Sequence, residues 1–269
     1  MNEQKKLYII LIAIVAFFVL IFGINFINEN NTKKYLETFN SIIESGEKKI
    51  ILLGKESCPY CQMFQPLLDY MKEEYSFDYL YIDTTKITAK GLNGVIETLN
   101  IDPDDFGTPH LSLVEGGKVI DDIPGYVDEK QLLSFLVEYE YAPKDATIPL
   151  NYVDYPEYEE LIESETPEVL VIGQTSCNAC MMAKPALITI ADQYDVKINY
   201  LNLTELKEAE NGAELIEKFN SSLEFYTKEE WGTPLMIIVK DKEVIGSSKG
   251  YHSTQDYVEF LKEKGIISE

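Results

Sequence analysis

Ile50-Ile51-Leu52-Leu53 runs through a short polar turn into Ser57-Cys58-Pro59-Tyr60-Cys61. The same grammar returns as Val169-Leu170-Val171-Ile172 followed by Ser176-Cys177-Asn178-Ala179-Cys180. These two motifs use all four cysteines of the chain. An apolar run this short reads as a strand buried on both faces. The residues after each first cysteine read as a helix, with Met63, Phe64, Leu67, Leu68 and Met71 at helical spacing in the first copy.

The repeat extends far beyond the cysteines. Ile42-Ile43-Glu44-Ser45 matches Leu161-Ile162-Glu163-Ser164 at the shift of 119 that separates Cys58 from Cys177, and Pro66 matches Pro185 at the same shift. Later the shift becomes 125. Phe106-Gly107-Thr108-Pro109 matches Trp231-Gly232-Thr233-Pro234, and Gly125-Tyr126 matches Gly250-Tyr251. The second copy therefore carries six extra residues between about 205 and 230. A period this long makes each copy a domain rather than a solenoid unit. The expected organisation is an anchor over residues 1–28, one domain over 33–140, a linker at 141–150 containing Pro143 and Pro149, and a second domain over 151–269.

Within one copy, helices are expected over 33–45, from Cys58, over 91–99 and over 129–138. Strands are expected over 49–53, 77–83, 111–115 and 119–122, with Gly116-Gly117 as a hairpin turn. This order, first parallel and then antiparallel, is that of an α/β sheet with helices on both faces.

The CxxC at a strand-to-helix junction, the prolines at 66 and 185, and the Gly-Thr-Pro before a hairpin together resemble the thioredoxin superfamily, and they do so twice. The resemblance implies two tandem thioredoxin-fold domains. It implies that Pro109 and Pro234 are cis-prolines facing the cysteines, with Thr108 and Thr233 lining a substrate groove. It also implies that Gly125 and Gly250 precede each last helix. Two departures stand out: Leu52 and Val171 occupy the place of thioredoxin's buried acid, and Ser57 and Ser176 replace its tryptophan.

The chemistry follows from position. A thiolate is the nucleophile of disulfide exchange. Unpaired N–H groups and the positive end of the macrodipole at a helix N-terminus favour it. Cys58 and Cys177 are the expected attackers. Cys61 and Cys180, one helical turn on, are the expected resolvers. The function expected is a membrane-tethered, extracytoplasmic thiol–disulfide oxidoreductase acting on cysteine-containing exported proteins, with no cofactor and no metal. A membrane or soluble redox partner can complete the cycle. The linker would hold the two sites at about millimolar effective concentration, so that one can pass electrons to the other. The other readings are a binding or scaffold module with structural disulfides, and a four-cysteine metal site.

Composition bounds the partners. The formal charge of −23 argues against nucleic acid and anionic lipid, and two histidines leave little for His-based catalysis. The acidic pairs at 104–105 and 229–230 and most other acidic residues read as a solvated surface. His110 follows the first Gly-Thr-Pro, where tuning of Cys58 competes with the place of a satisfied surface-groove histidine; Phe106 and Trp231 precede the Gly-Thr-Pro segments, where a groove role competes with core packing.

Leu7 to Ile24 is an almost unbroken apolar run after Lys5 and Lys6. About 20 such residues cross a bilayer as a helix. No small-x-small cleavage site follows, so an uncleaved anchor is expected. Lys5 and Lys6 favour a cytoplasmic amino terminus, with both domains outside. Disulfides persist there.

Overall fold

The computed structural model describes residues 3–268. The ends of the expected 1–28 anchor and 151–269 domain, at residues 1–2 and 269, lie outside the described residues.

The chain begins with α1 (Glu3–Ser45), a single helix of 43 residues. The anchor and the first expected domain helix are thus one element. No proline interrupts them, and Gly46, at φ +70°, lies just past the end, where a left-handed residue closes a helix. The stretch Tyr8–Ser45 contains a window of mean hydropathy 3.0 with none of it buried, long and apolar enough to cross a membrane.

Then follow β1 (Lys49–Gly54), α2 (Pro59–Glu74), β2 (Tyr79–Asp83), α3 (Ala89–Thr98), β3 (His110–Glu115), β4 (Lys118–Pro124) and α4 (Glu129–Glu138). The first sheet has the order β2-β1-β3-β4. β1 runs parallel to β2, pairing Leu52 with Tyr81, and antiparallel to β3, pairing Leu52 with Leu111. The turn between β3 and β4 is made by Gly116 and Gly117 at φ +60° and +73°, where a side chain would be strained.

One face of this sheet carries Ile51, Leu53, Ile82 and Val114. They pack with Phe39 of α1 and Val95 of α3. Gly91 in α3 reads as a helix weakener, yet it serves a close approach. A Cβ there would lie 2.6 Å from Thr32 Cγ2, and the Thr88 N–H donates to Thr32 Oγ1 at 2.7 Å.

The remainder is β5 (Asn151–Val153), α5 (Tyr155–Ile162), β6 (Glu168–Gly173), α6 (Asn178–Gln193), β7 (Ile198–Asn202), α7 (Leu203–Glu208), α8 (Gly212–Ser222), α9 (Glu224–Lys228), β8 (Leu235–Lys240), β9 (Glu243–Lys249) and α10 (Thr254–Glu263). The second sheet has the order β5-β7-β6-β8-β9. Its register repeats the first: Val171 pairs with Tyr200 and with Met236, as Leu52 pairs with Tyr81 and Leu111. Two features are new. β5 adds a strand outside β7, and α7, α8 and α9 stand where the first half has α3. The longer segment packs Phe219, Leu223, Tyr226 and Trp231 into a core with Leu170, Ile172 and Ile237.

Two compact units result. The first holds Phe77–Val127 together with everything described up to Phe64. The second holds Gln65–Ser76 together with everything from Asp128 on.

Candidate active site

Each CxxC sits where a buried central strand hands over to a helix. In the first unit the chain leaves β1 and turns, with the Cys58 N–H donating to Lys55 O at 3.1 Å. Cys58 is the residue before α2. Its carbonyl accepts the first helical bond, from Gln62 N–H at 3.1 Å. Its sulfur accepts from Cys61 N–H at 3.3 Å, the duty of an N-cap side chain. Pro59 opens the helix, where a missing N–H costs nothing. The Cys58 thiol donates to the carbonyl oxygen of Thr108 at 3.1 Å.

Burial alone would raise the Cys58 thiol. Hydrogen bonds from the Thr108 side chain, from the Cys61 thiol and backbone N–H, and from the Tyr60 backbone favour the thiolate, outweigh burial and hold Cys58 below the ordinary value of 9.0. Cys61 goes the other way. Burial, then its hydrogen bond to Cys58, push it up to about 11. The pair is thus unequal, one thiol held low and the other pushed up, as expected of an attacking and a resolving cysteine. On reduced protein, iodoacetamide should alkylate Cys58 with a midpoint below pH 9.0, while Cys61 should stay unmodified until about pH 11. Mass spectrometry of the peptides against pH checks this; coincident midpoints contradict it.

In the second unit Cys177 is the N-cap of α6, and its sulfur accepts from Cys180 N–H at 3.1 Å. Here the cysteines are joined as a disulfide with Cα atoms 5.1 Å apart, whereas Cys58 and Cys61 are thiols. Cys177 Sγ lies 3.4 Å from the carbonyl oxygen of Thr233, and Thr233 Oγ1 donates to it at 3.5 Å.

The Thr108–Pro109 and Thr233–Pro234 peptide bonds are both cis. Each proline carbonyl is tied to a glycine further on. Gly125 N–H donates to Pro109 O at 2.9 Å and Gly250 N–H to Pro234 O at 2.8 Å. Both glycines have positive φ, +90° and +85°. The structure thus brings Cys58, Cys61 and Thr108 together in one unit, and Cys177, Cys180 and Thr233 in the other, each threonine preceding its cis-proline.

Other residues near the motifs fall elsewhere. Phe106 and Trp231 pack against the two cores, so packing is their use. His110 is buried, pairs across strands with Leu53, and holds Nε2 3.2 Å from Asp122 Oδ2. It shares the sheet face of Leu53 and the α1–α3 core. Leu52 and Val171 are apolar and fully buried.

A difference between the sites goes beyond their dipeptides. Beside Cys58, the exposed Tyr60 ring lies 6.3 Å from Tyr126, which in turn meets Phe64 at 6.4 Å. The repeat puts Ala179 and Ala183 where Tyr60 and Phe64 stand, and keeps only Tyr251. The signal was in the sequence, but it shows only when the copies are compared position by position.

The thioredoxin-like domain family matches residues 36–140 of the chain. A disulfide bond formation protein of Brevibacillus choshinensis is 30% identical over 91 residues, 34% of this chain and 72% of its own length. Among solved structures, thioredoxin f2 of Chlamydomonas reinhardtii aligns at 14% identity and a TM-score of 0.34 over 44% of this chain and 99% of its own. The oxidised thioredoxin of Plasmodium falciparum aligns at 22% and 0.31 over 39% and 92%. The family match over the first sheet and the relative matched across most of its length place this chain in the thioredoxin-like family.

Proposed function

We propose that this chain, a thiol–disulfide oxidoreductase of thioredoxin-like fold, is held by α1 in a membrane and works outside the cytoplasm on cysteine-containing exported proteins. Its sites are Cys58 with Cys61 and Cys177 with Cys180, carried by tandem thioredoxin-like domains over 33–140 and 151–269. The observation that carries the reading is the geometry of the first pair: Cys58 caps α2 with its sulfur 3.3 Å from the Cys61 N–H and 3.1 Å from the Thr108 carbonyl oxygen, beside the cis Thr108–Pro109 bond, an arrangement that holds one thiol low and pushes its buried neighbour up to about 11. A metal site needs no such inequality, and a structural disulfide has no use for it.

The exchange runs in two displacements. A client thiolate attacks the Cys58 sulfur of the oxidised pair, the bond to Cys61 breaks, and a mixed disulfide forms. A second client thiolate then attacks the client sulfur and releases Cys58 as the thiolate. The reverse sequence reduces a client disulfide, with Cys61 resolving. The Brevibacillus relative is named for disulfide bond formation, and client oxidation is the direction that name suggests. Thr108 and Thr233, beside the attacking sulfurs, border the strip where the client would lie.

Support for the setting comes from α1, whose apolar stretch follows Lys5 and Lys6. The test is a trap in intact cells. Cys61→Ser or Cys180→Ser should accumulate adducts with exported proteins that dithiothreitol releases. If neither variant accumulates such an adduct, the proposal fails.

A further inference from the structure

β1 ends on Gly54, and the space of its missing side chain is filled. A Cβ built there would lie 2.8 Å from Cε2 and 3.2 Å from the hydroxyl oxygen of Tyr81. The parallel register sets Tyr81 opposite Leu52. Side chains alternate along a strand, so Leu52, Gly54 and Tyr81 share the face opposite the Ile51, Leu53 and Ile82 core. Lys55, the next residue after Gly54, accepts from the Cys58 N–H through its carbonyl at 3.1 Å, and its backbone helps hold the Cys61 thiol down. The phenol oxygen therefore stands one residue from the turn that carries both sulfurs.

The arrangement is built twice. β6 ends on Gly173, where a Cβ would lie 1.9 Å from the hydroxyl oxygen of Tyr200, and Tyr200 pairs with Val171 as Tyr81 pairs with Leu52. Filling the gap requires only a ring, and a phenylalanine would serve. Each copy instead brings an oxygen to the end of the strand that leads into its CxxC.

Building on the exchange reading above, we propose that Tyr81 is a hydrogen-bond donor to the Cys61 sulfur at the moment the Cys58–Cys61 disulfide opens. In that step the client thiolate bonds to the Cys58 sulfur, the Cys58–Cys61 bond breaks, and its electron pair leaves on Cys61. The Cys61 sulfur is deeply buried and a poor thiolate. The phenol bond shares the developing charge until solvent supplies a proton, and in the reverse direction Cys61 returns that proton. Tyr81 can donate because it stays protonated. Burial, then the charges of Asp83 and Cys61, with Tyr35 and Glu56 further out, raise it well above its ordinary value.

The test uses the full chain with Cys177→Ser and Cys180→Ser, so that only the first pair reacts. Oxidised protein is mixed with excess glutathione, and mixed-disulfide formation is timed by acid quench and mass spectrometry. Tyr81→Phe keeps the ring and removes only the oxygen. The expected result is opening about tenfold slower near neutral pH. The Cys61 alkylation midpoint should move upward while the Cys58 profile stays in place. Opening within twofold of the parent, with the Cys61 profile unmoved, overturns the assignment. So does a slowing that also shifts Cys58, since that marks distortion of the whole turn. If the parent itself forms no mixed disulfide, the exchange reading falls, and this inference with it.

Discussion

With the second pair replaced by Cys177→Ser and Cys180→Ser, Cys58→Ser should lower exchange with a disulfide-bonded peptide at least about a thousandfold. Cys61→Ser should instead leave the first attack nearly intact and stop the cycle at the mixed disulfide. The asymmetry follows from the geometry. Cys58 is the cap-position sulfur, accepting from the Cys61 N–H, and hydrogen bonds from the Thr108 side chain and from Cys61 hold it below 9.0. A serine hydroxyl in its place can cap the helix but is no nucleophile toward sulfur. Cys61, pushed up to about 11, is nearly all thiol at neutral pH and cannot lead. It acts once Cys58 is covalently engaged, because only then does an electrophilic sulfur lie one helical turn away. Single-turnover kinetics with a thiol-sensitive gel separate the steps. Equal rates for the two variants, or an adduct on Cys58→Ser and none on Cys61→Ser, would reverse the assigned roles.

Much of this was legible in the chain because the deciding signals are local or periodic. Four consecutive apolar residues before a polar turn admit little but a buried strand, and β1 and β6 are such strands. The repeat supplied what one copy could not: two constant shifts tie the Gly-Thr-Pro segments to the cysteines, and strand register preserves both shifts. The features that leave no mark in the sequence depend on tertiary partners. β5 is three residues long after a proline, too short for any period to show. Six extra residues announced an insertion but not that α7, α8 and α9 would pack an aromatic core around Phe219. Nothing in the sequence tells one strand tyrosine from another, and only the close approach to Gly54 and Gly173 separates Tyr81 and Tyr200 from the rest. The acidic surface hid one more exception. Nothing in the sequence marks Glu129 as different from the other carboxylates, yet it is 1% exposed.

Lys184→Met should destabilise the second unit by about 3–5 kcal/mol, more than any surface charge could. Lys184 Nζ lies 2.6 Å from Glu129 Oε1, with the lysine side chain 13% exposed and the glutamate 1%. The Tyr152 hydroxyl donates to the same oxygen. Lys184 also lies 5.2 Å over the Tyr200 ring. Methionine keeps most of the stem and its packing, so the loss isolates the charge. It leaves a buried carboxylate facing one phenol, and that uncompensated charge, rather than the missing attraction, sets the magnitude. The double variant Glu129→Gln with Lys184→Met should therefore recover most of the loss, since neither buried group is then charged. Trp231 is the only tryptophan and packs on Phe219 and Tyr226 in this unit's core, so its fluorescence in urea reports the right transition. A single variant costing under about 1 kcal/mol would mean that water reaches Glu129. A double variant as unstable as the single one would mean that the pair is held for packing and not for charge.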